Sequence, residues 1–241
     1  ICGDAVGGKS LSHVSELGVK ADIESTPHFR VTGIVFSSPK GNTVRVPLPE
    51  EDVEKMEAGY ALPRAQFDSL LFNRCQALVR EAGGSIIQGG DVRTVLFDDG
   101  AGGQDPGEGS GDARHAAGIV VRIGGRDGEE RTFYSRELVG AAGYRCPVAR
   151  SVVESSYNEV MMDRDHYCGG YREYWRNVKG CEANVGDIEI HFVDSVIPGY
   201  FWLFPVSENV VNVGIGMVMG LLDKQKKKLK ALQADVIANH P

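Results

Sequence analysis

The sequence predicts a mixed α/β fold in which hairpins outnumber helices. Three observations carry this. FRVTGIVFSS (Phe29 to Ser38) alternates and is rich in β-branched residues, and TVRVPL (Thr43 to Leu48) follows across Pro39-Lys40-Gly41-Asn42 as its hairpin partner. RAQFDSLLFNRCQALVREAGG places Phe67, Leu70, Leu71, Leu78 and Val79 at helical spacing and ends on Gly83-Gly84. No regular strand–helix–strand repetition runs through the chain, which argues against a purely doubly wound sheet.

The other elements follow in order. Ser10 to Leu17 reads as a short helix with Leu11, Val14 and Leu17 on one side. Glu50 to Gly59 reads as an acidic loop. SIIQGGDVRTVLF (85–97) is a strand region, and Asp98 to Ala113, Gly-rich and acidic, is expected to be a mobile loop. Ala117 to Ile123 and Glu130 to Ser135 form a second hairpin. ELVGAAGYRCPVARSVV (137–153) reads as strand, Gly turn, helix. Strands are expected near Tyr167–Tyr174, Asp187–Val193, Tyr200–Val206 and Asn209–Met219. One last helix, LLDKQKKKLKALQADVIA (221–238), puts Leu222, Leu229, Leu232 and Val236 on one stripe.

Composition narrows the function classes. The chain has 241 residues, and its net charge of -7 argues against nucleic acid as a partner. Its 5 cysteines (Cys2, Cys75, Cys146, Cys168, Cys181) include no C-x-x-C pair, so neither a disulfide framework nor a zinc site is expected, and a cytoplasmic setting fits. Histidines 13, 28, 115, 166, 191 and 240 lack metal-ligand spacing, so no metal is expected. The longest apolar run, Val210 to Leu222, contains Asn212 and three glycines and is too short to span a membrane. There is no signal-peptide pattern and no initiator Met, and the first residue already stands inside a motif, so a fragment is expected.

Several motifs bear on chemistry. Gly3 to Ser10 satisfies G-x-x-x-x-G-K-[ST], the phosphate loop of a nucleotide hydrolase. That loop needs a strand before it, only two residues precede Gly3, and Asp4 would put a like charge among the phosphates. GIGMVMG (214–220) resembles a dinucleotide fingerprint whose third Gly comes one place late, and a glycine-containing buried strand explains it better. GAAGYRCPVAR (140–150) has a strand before it and a helix after it; small residues there let a backbone approach a ligand, or simply make a tight turn. PGYFWLFP (198–205) sends Tyr200, Trp202 and Phe204 to one face, where they line an apolar cavity or pack as ordinary core. The basic run Lys224 to Lys230 is a solvated helix face or touches anionic lipid.

Taken in order, four segments resemble the geranylgeranyl reductase family of FAD-dependent oxidoreductases, within the p-hydroxybenzoate-hydroxylase-like flavoproteins. ICGDAVGGK resembles its C-G-D-A loop, and GYALPRAQFDSLLF its Tyr…Arg-x-x-Phe-Asp segment. GAAGYRCPVAR resembles its Gly-Ala-Asp-Gly turn, and PGYFWLFPVSENVVNVGIGM its Tyr-x-Trp-x-Phe-Pro followed by Val-Gly-x-Gly. Ala142 stands where the family usually has Asp.

The resemblance implies a Rossmann-like FAD/NAD(P)-binding fold with an inserted antiparallel substrate sheet. It divides the chain into a partial FAD-binding domain with β-hairpin insertions (1–155), an antiparallel substrate-binding sheet (156–220) and a helix leading back toward the FAD domain (221–241). It also implies an N-terminal G-x-G-x-x-G unit and a C-terminal part that this chain lacks, and hence weak FAD binding by this chain alone. Cys2, Gly3, Asp4 and Ala5 would lie by the flavin, Arg64 would contact FAD, and Gly140, Ala141, Ala142 and Gly143 would approach the cofactor. Tyr200, Trp202 and Phe204 would line a prenyl cavity. The implied activity is saturation of carbon–carbon double bonds in geranylgeranyl or other prenyl chains. Reduced FAD acts with electrons from NAD(P)H or another donor, on a prenylated lipid or prenyl diphosphate, and the protein touches the membrane peripherally. Cys2 is the candidate proton donor. A flavin monooxygenase or halogenase of the same superfamily is the alternative chemistry, and a non-catalytic remnant that binds lipid or a partner is the alternative class.

Overall fold

The computed structural model describes residues 3–55, 57–97, 117–161 and 163–239. Cys2 and the expected mobile loop at Asp98–Ala113 lie outside the described residues. The fold is mixed α/β, and the chain divides into two compact units, Ile1–Gly84 with Arg164–Pro241, and Ser85–Asp163.

The first unit begins with β1 (Ala5–Gly7), α1 (Ser10–Glu16), α2 (Lys20–Ser25), β2 (Phe29–Ser37), β3 (Thr43–Pro47), α3 (Glu50–Glu54), β4 (Gly59–Ala61) and α4 (Arg64–Glu81). The second unit holds β5 (Gly90–Phe97), β6 (Ala117–Ile123), β7 (Glu129–Ser135) and α5 (Pro147–Val152). The first unit then resumes with β8 (Cys168–Arg176), β9 (Val185–His191), β10 (Tyr200–Ser207), β11 (Val210–Val218), α6 (Met219–Lys224) and α7 (Leu229–Asn239).

One eight-stranded sheet organises the first unit, in the order β1-β4-β2-β9-β10-β11-β8 with β3 also on β2. Its pairings are antiparallel except β2 with β9, which is parallel. Strand alternation gives each face its own core. Phe201, Val211, Val213, Ile215 and Met217 pack with Leu222, Leu232 and Val236 of α6 and α7. Phe29, Val31, Ile188, Trp202, Phe204 and Val206 form a second cluster, and Val6, Val14, Ile23, Tyr60, Leu62 and Phe67 a third around α1, α2 and α4.

The parallel pair joins segments far apart in sequence, and Asp187 of β9 is held by Thr32 of β2 and by Arg45 of β3. Arg45 donates to both oxygens of Asp187 (Nε to Oδ2 2.6 Å, Nη2 to Oδ1 2.8 Å), and Thr32 Oγ1 donates to Oδ1 at 2.9 Å. The hydrogen bond from Arg45, opposed by partial burial and aided by Thr32, holds the Asp187 carboxyl below its ordinary value. A folded value below the unfolded one stabilises the fold above pH ~4 and is lost as pH falls through the folded value. Arg45→Ala should therefore lower the melting temperature by a few degrees at pH 7. The deficit should shrink steadily below pH ~4 in thermal melts, and a deficit independent of pH would refute the assignment.

Three local expectations change, and the phosphate-loop pattern is accounted for. The last helix breaks at Gln225–Lys228, where consecutive lysines repel one another and Lys226 turns left-handed (φ 52), although Leu222, Leu232 and Val236 still share one core. The acidic stretch from Glu50 contains the one-turn helix α3, with Glu50, Glu51 and Asp52 favourably placed at its N-terminus. Residues 137–142 form no strand, and Val139 is 83% exposed. Finally, the residues that would wrap a phosphate form β1, paired in register with β4 through Ala5–Ala61 and Gly7–Gly59. Their backbone amides therefore do not make a phosphate cradle.

Candidate functional site

The site grows from β10. Alternation sends Tyr200, Trp202 and Phe204 to one face, with ring centroids 5.8 Å and 6.1 Å apart along the row. The row is graded: Trp202 (5% exposed) and Phe204 (8%) are buried, while Tyr200 stands 41% exposed at its end. Two glycines let the rings lie this close to backbone. Trp202 lies across Gly214, its cross-strand partner on β11, where a Cβ would sit 2.1 Å from the indole. Phe204 presses on Gly3, where a Cβ would sit 2.7 Å from the ring. Asn212, fully buried, accepts the Trp202 indole N–H at 3.0 Å and fixes the ring's orientation.

A polar cluster borders the row. Asp4 is fully buried, and its Oδ1 accepts the Arg64 backbone N–H at 3.3 Å, so its carboxylate caps the first turn of α4 from across the chain. Tyr174 stands opposite Asn212 across β8 and β11. Burial first, and the facing Asp4 carboxylate second, raise its hydroxyl above the ordinary value. The Arg172 guanidinium lies 4.7 Å from the Tyr174 ring centroid. Among the described residues, Asp4 Oδ2, Asn212 Nδ2 and Arg172 Nε are buried without a hydrogen-bond partner. Leaving such atoms unpaired costs about 1–3 kcal/mol each, so this border suits a bound molecule that carries both donors and acceptors.

The remaining expected site residues are placed as follows. Ala5 lies in β1 and packs against the cluster that holds Trp202 and Phe204. Arg64 opens α4, is ion-paired with Asp68 and lies 5.4 Å from the Phe67 ring centroid. Gly140, Ala141, Ala142 and Gly143 belong to the second unit. Gly140 packs so closely on the start of α5 that a Cβ would sit 2.9 Å from the Ala149 nitrogen, and Gly143 is left-handed (φ 72). Nearby Cys146 caps α5, and the backbone N–H groups of Ala149 and then Ala142 lower its thiol below the ordinary value. No metal cluster occurs among the described residues, and none of their helices is long and apolar enough to cross a membrane.

Residues 167–240, which contain the whole aromatic row and its glycine partner, match the family model of the geranylgeranyl reductase catalytic domain. The resemblance to the geranylgeranyl reductase family is borne out. The chain is 26% identical to digeranylgeranylglycerophospholipid reductase 1 of Methanococcoides burtonii, over all of this chain and 50% of that protein. Among solved structures, a geranylgeranyl bacteriochlorophyll reductase-like protein of Thermoplasma acidophilum superposes with a TM-score of 0.68 at 19% identity, over all of this chain and 52% of that one. The myxobacterial FAD-dependent halogenase CndH superposes at 0.63 with 20% identity, over 93% of this chain and 46% of its own. These likenesses are of fold. The chain spans about half the length of the relatives it matches.

Within the segment that matches the family model, sequence reasoning missed Arg172, Tyr174 and Asn212. Asn212 carried a signal: it is the one hydrogen-bonding side chain in VVNVGIGMV, and such a residue in a buried strand needs a partner. Tyr174 and Arg172 carried none, because β8 places them there through pairing rather than through a motif.

Proposed function

We propose that this chain is part of an FAD-dependent reductase that saturates carbon–carbon double bonds in prenyl chains of lipids. The observation that carries the reading is the graded aromatic row on Gly214, inside the segment that matches the catalytic-domain model. The residues fit a flavin and a prenyl chain side by side. The orphaned Asp4, Asn212 and Arg172 atoms offer hydrogen bonds to a heteroatom-rich ring, and the row offers an apolar wall.

FAD, when bound, supplies the hydride, with electrons from NAD(P)H or another donor. The chain's own part is to hold and to exclude. Trp202 and Phe204 form a dry floor, and exposed Tyr200 closes over the apolar chain. Asp4 and Tyr174 keep polar groups at the border, and Arg64 and Gly140–Gly143 take the cofactor contacts that the family resemblance assigns to them. Cys2 is the proposed source of the proton for the second carbon. The substrate is a prenylated lipid or prenyl diphosphate, reached by peripheral contact with the membrane from a cytoplasmic protein.

The test uses the full-length protein. It should show a bound-flavin visible spectrum after FAD is added, and its reduced flavin should be reoxidised anaerobically by a geranylgeranylated lipid. Absence of bound flavin would sink the reading. Oxygen consumption coupled to an aromatic substrate, without prenyl saturation, would favour the halogenase-like alternative. Cys2→Ala should slow prenyl saturation while leaving flavin reduction intact; an unchanged saturation rate removes Cys2 from the mechanism.

A further inference from the structure

The sheet has a second usable face. Opposite the aromatic row, β10 and β11 turn Phe201, Leu203 and Val213 toward α7, and with Val236 and Ile237 they line a cavity of about 250 Å³. Trp175 (38% exposed) and Ile237 (40%) are its most open walls. The lining is apolar except for Glu189 and His191. His191 is fixed in place: its Nε2 lies 2.9 Å from Glu189 Oε2, its Nδ1 lies 2.8 Å from Ser37 Oγ, and its ring tilts against Phe201 at 6.0 Å.

Two carboxylates, Glu173 and Glu189, stand on this face. The Trp175 indole N–H donates to Glu173 at 3.1 Å, while Lys230 is the cation that acts on Glu173. Cys181, packed on the same core, has its thiol raised by burial and then by Glu189 and Glu182. A carboxylate beside two aromatic walls repels anions and favours a cation, because ring faces attract positive charge and an ammonium entering an apolar site needs a charged partner. The volume lies just below the ~300 Å³ at which sites for drug-sized ligands begin, which suits a single-ring molecule.

We propose that this cavity binds a small apolar amine as its ammonium ion, with the nitrogen at Glu189 and the apolar body against Trp175, Phe201 and Leu203. The site is separate from the redox reading, since it lies on the opposite face of the sheet.

The chain contains 2 tryptophans, so its nitrogen-15 spectrum has two indole N–H signals, which Trp175→Phe assigns. Titration with 2-phenylethylammonium should move the Trp175 signal saturably and leave that of Trp202 in place. The neutral isostere 2-phenylethanol should bind at least about fivefold more weakly, the equivalent of roughly 1 kcal/mol. The anionic 3-phenylpropionate should not move the signal. Glu189→Gln should bring the amine and the alcohol to within about twofold of each other, a difference of under ~0.5 kcal/mol. An unmoved Trp175 signal, equal binding of amine and alcohol by the unsubstituted chain, or an unchanged preference in Glu189→Gln would each overturn the proposal. The three-probe comparison on the unsubstituted chain decides the question even where that variant fails to fold.

Discussion

Gly214→Val is expected to destabilise the first unit by about 2–6 kcal/mol. A side chain at this position meets the Trp202 indole at 2.1, 2.4 and 2.8 Å, so the ring must leave its place. Overpacking of this kind costs roughly 1–3 kcal/mol. Moving the ring also breaks its hydrogen bond to Asn212, and an orphaned buried amide adds about 1–3 kcal/mol. The built-in control is two residues away. At Gly216 the nearest atoms to a new Cβ are 3.7 Å distant, ordinary contact, so Gly216→Ala should stay within ~1 kcal/mol. Chemical denaturation of the two variants measures both numbers. A double-mutant cycle between Gly214→Ala and Trp202→Phe should show coupling of more than ~1 kcal/mol, because the smaller ring no longer covers the position. Unchanged stability in Gly214→Val would mean that Trp202 does not lie across it.

The aromatic row should separate stability from function at its two ends. Trp202→Ala removes a large side chain that is 5% exposed, and is expected to cost about 3–5 kcal/mol of folding stability. Tyr200→Ala removes one that is 41% exposed, and should leave the denaturation midpoint nearly unchanged. In the full-length, flavin-loaded protein the order reverses in meaning. Tyr200→Ala should lower kcat/KM for a prenyl lipid by about 10–100-fold, the loss of roughly 1.5–3 kcal/mol of apolar contact, mainly through KM. Flavin content should not change. A Tyr200→Ala enzyme with normal KM would place the prenyl chain elsewhere than along this row.

Much of this was legible in the chain itself, for reasons that differ by element. The hairpin of β2 and β3 was readable because its alternation and turn are local. The aromatic row was readable because strand period alone puts Tyr200, Trp202 and Phe204 on one side, although period could not say that Tyr200 stays exposed. β4 was not readable: Gly59–Ala61 is three residues long, too short to show a period, yet Tyr60 and Ala61 are among the most buried residues. The parallel pairing of β2 with β9 was equally hidden, since Thr32 and Asp187 meet across a separation of 155 positions. The strand expected before Gly140 failed for the opposite reason, because apolar letters at Leu138 and Val139 do not supply a neighbour to pair with. The polar border of the site needed three dimensions. Asp4 reads as a loop residue in its motif and becomes a helix cap only when α4 is brought to it.

β10 also has a bearing on how this chain can change over time. Its even-numbered residues Tyr200, Trp202 and Phe204 belong to one surface of the sheet, and Phe201 and Leu203 to the other. Substitutions at one parity can therefore be selected without disturbing what the other parity contacts. A single inserted or deleted residue near Pro198 cannot, because it exchanges the two sets at once. Point variation should be common in this strand across natural variants, and length variation rare.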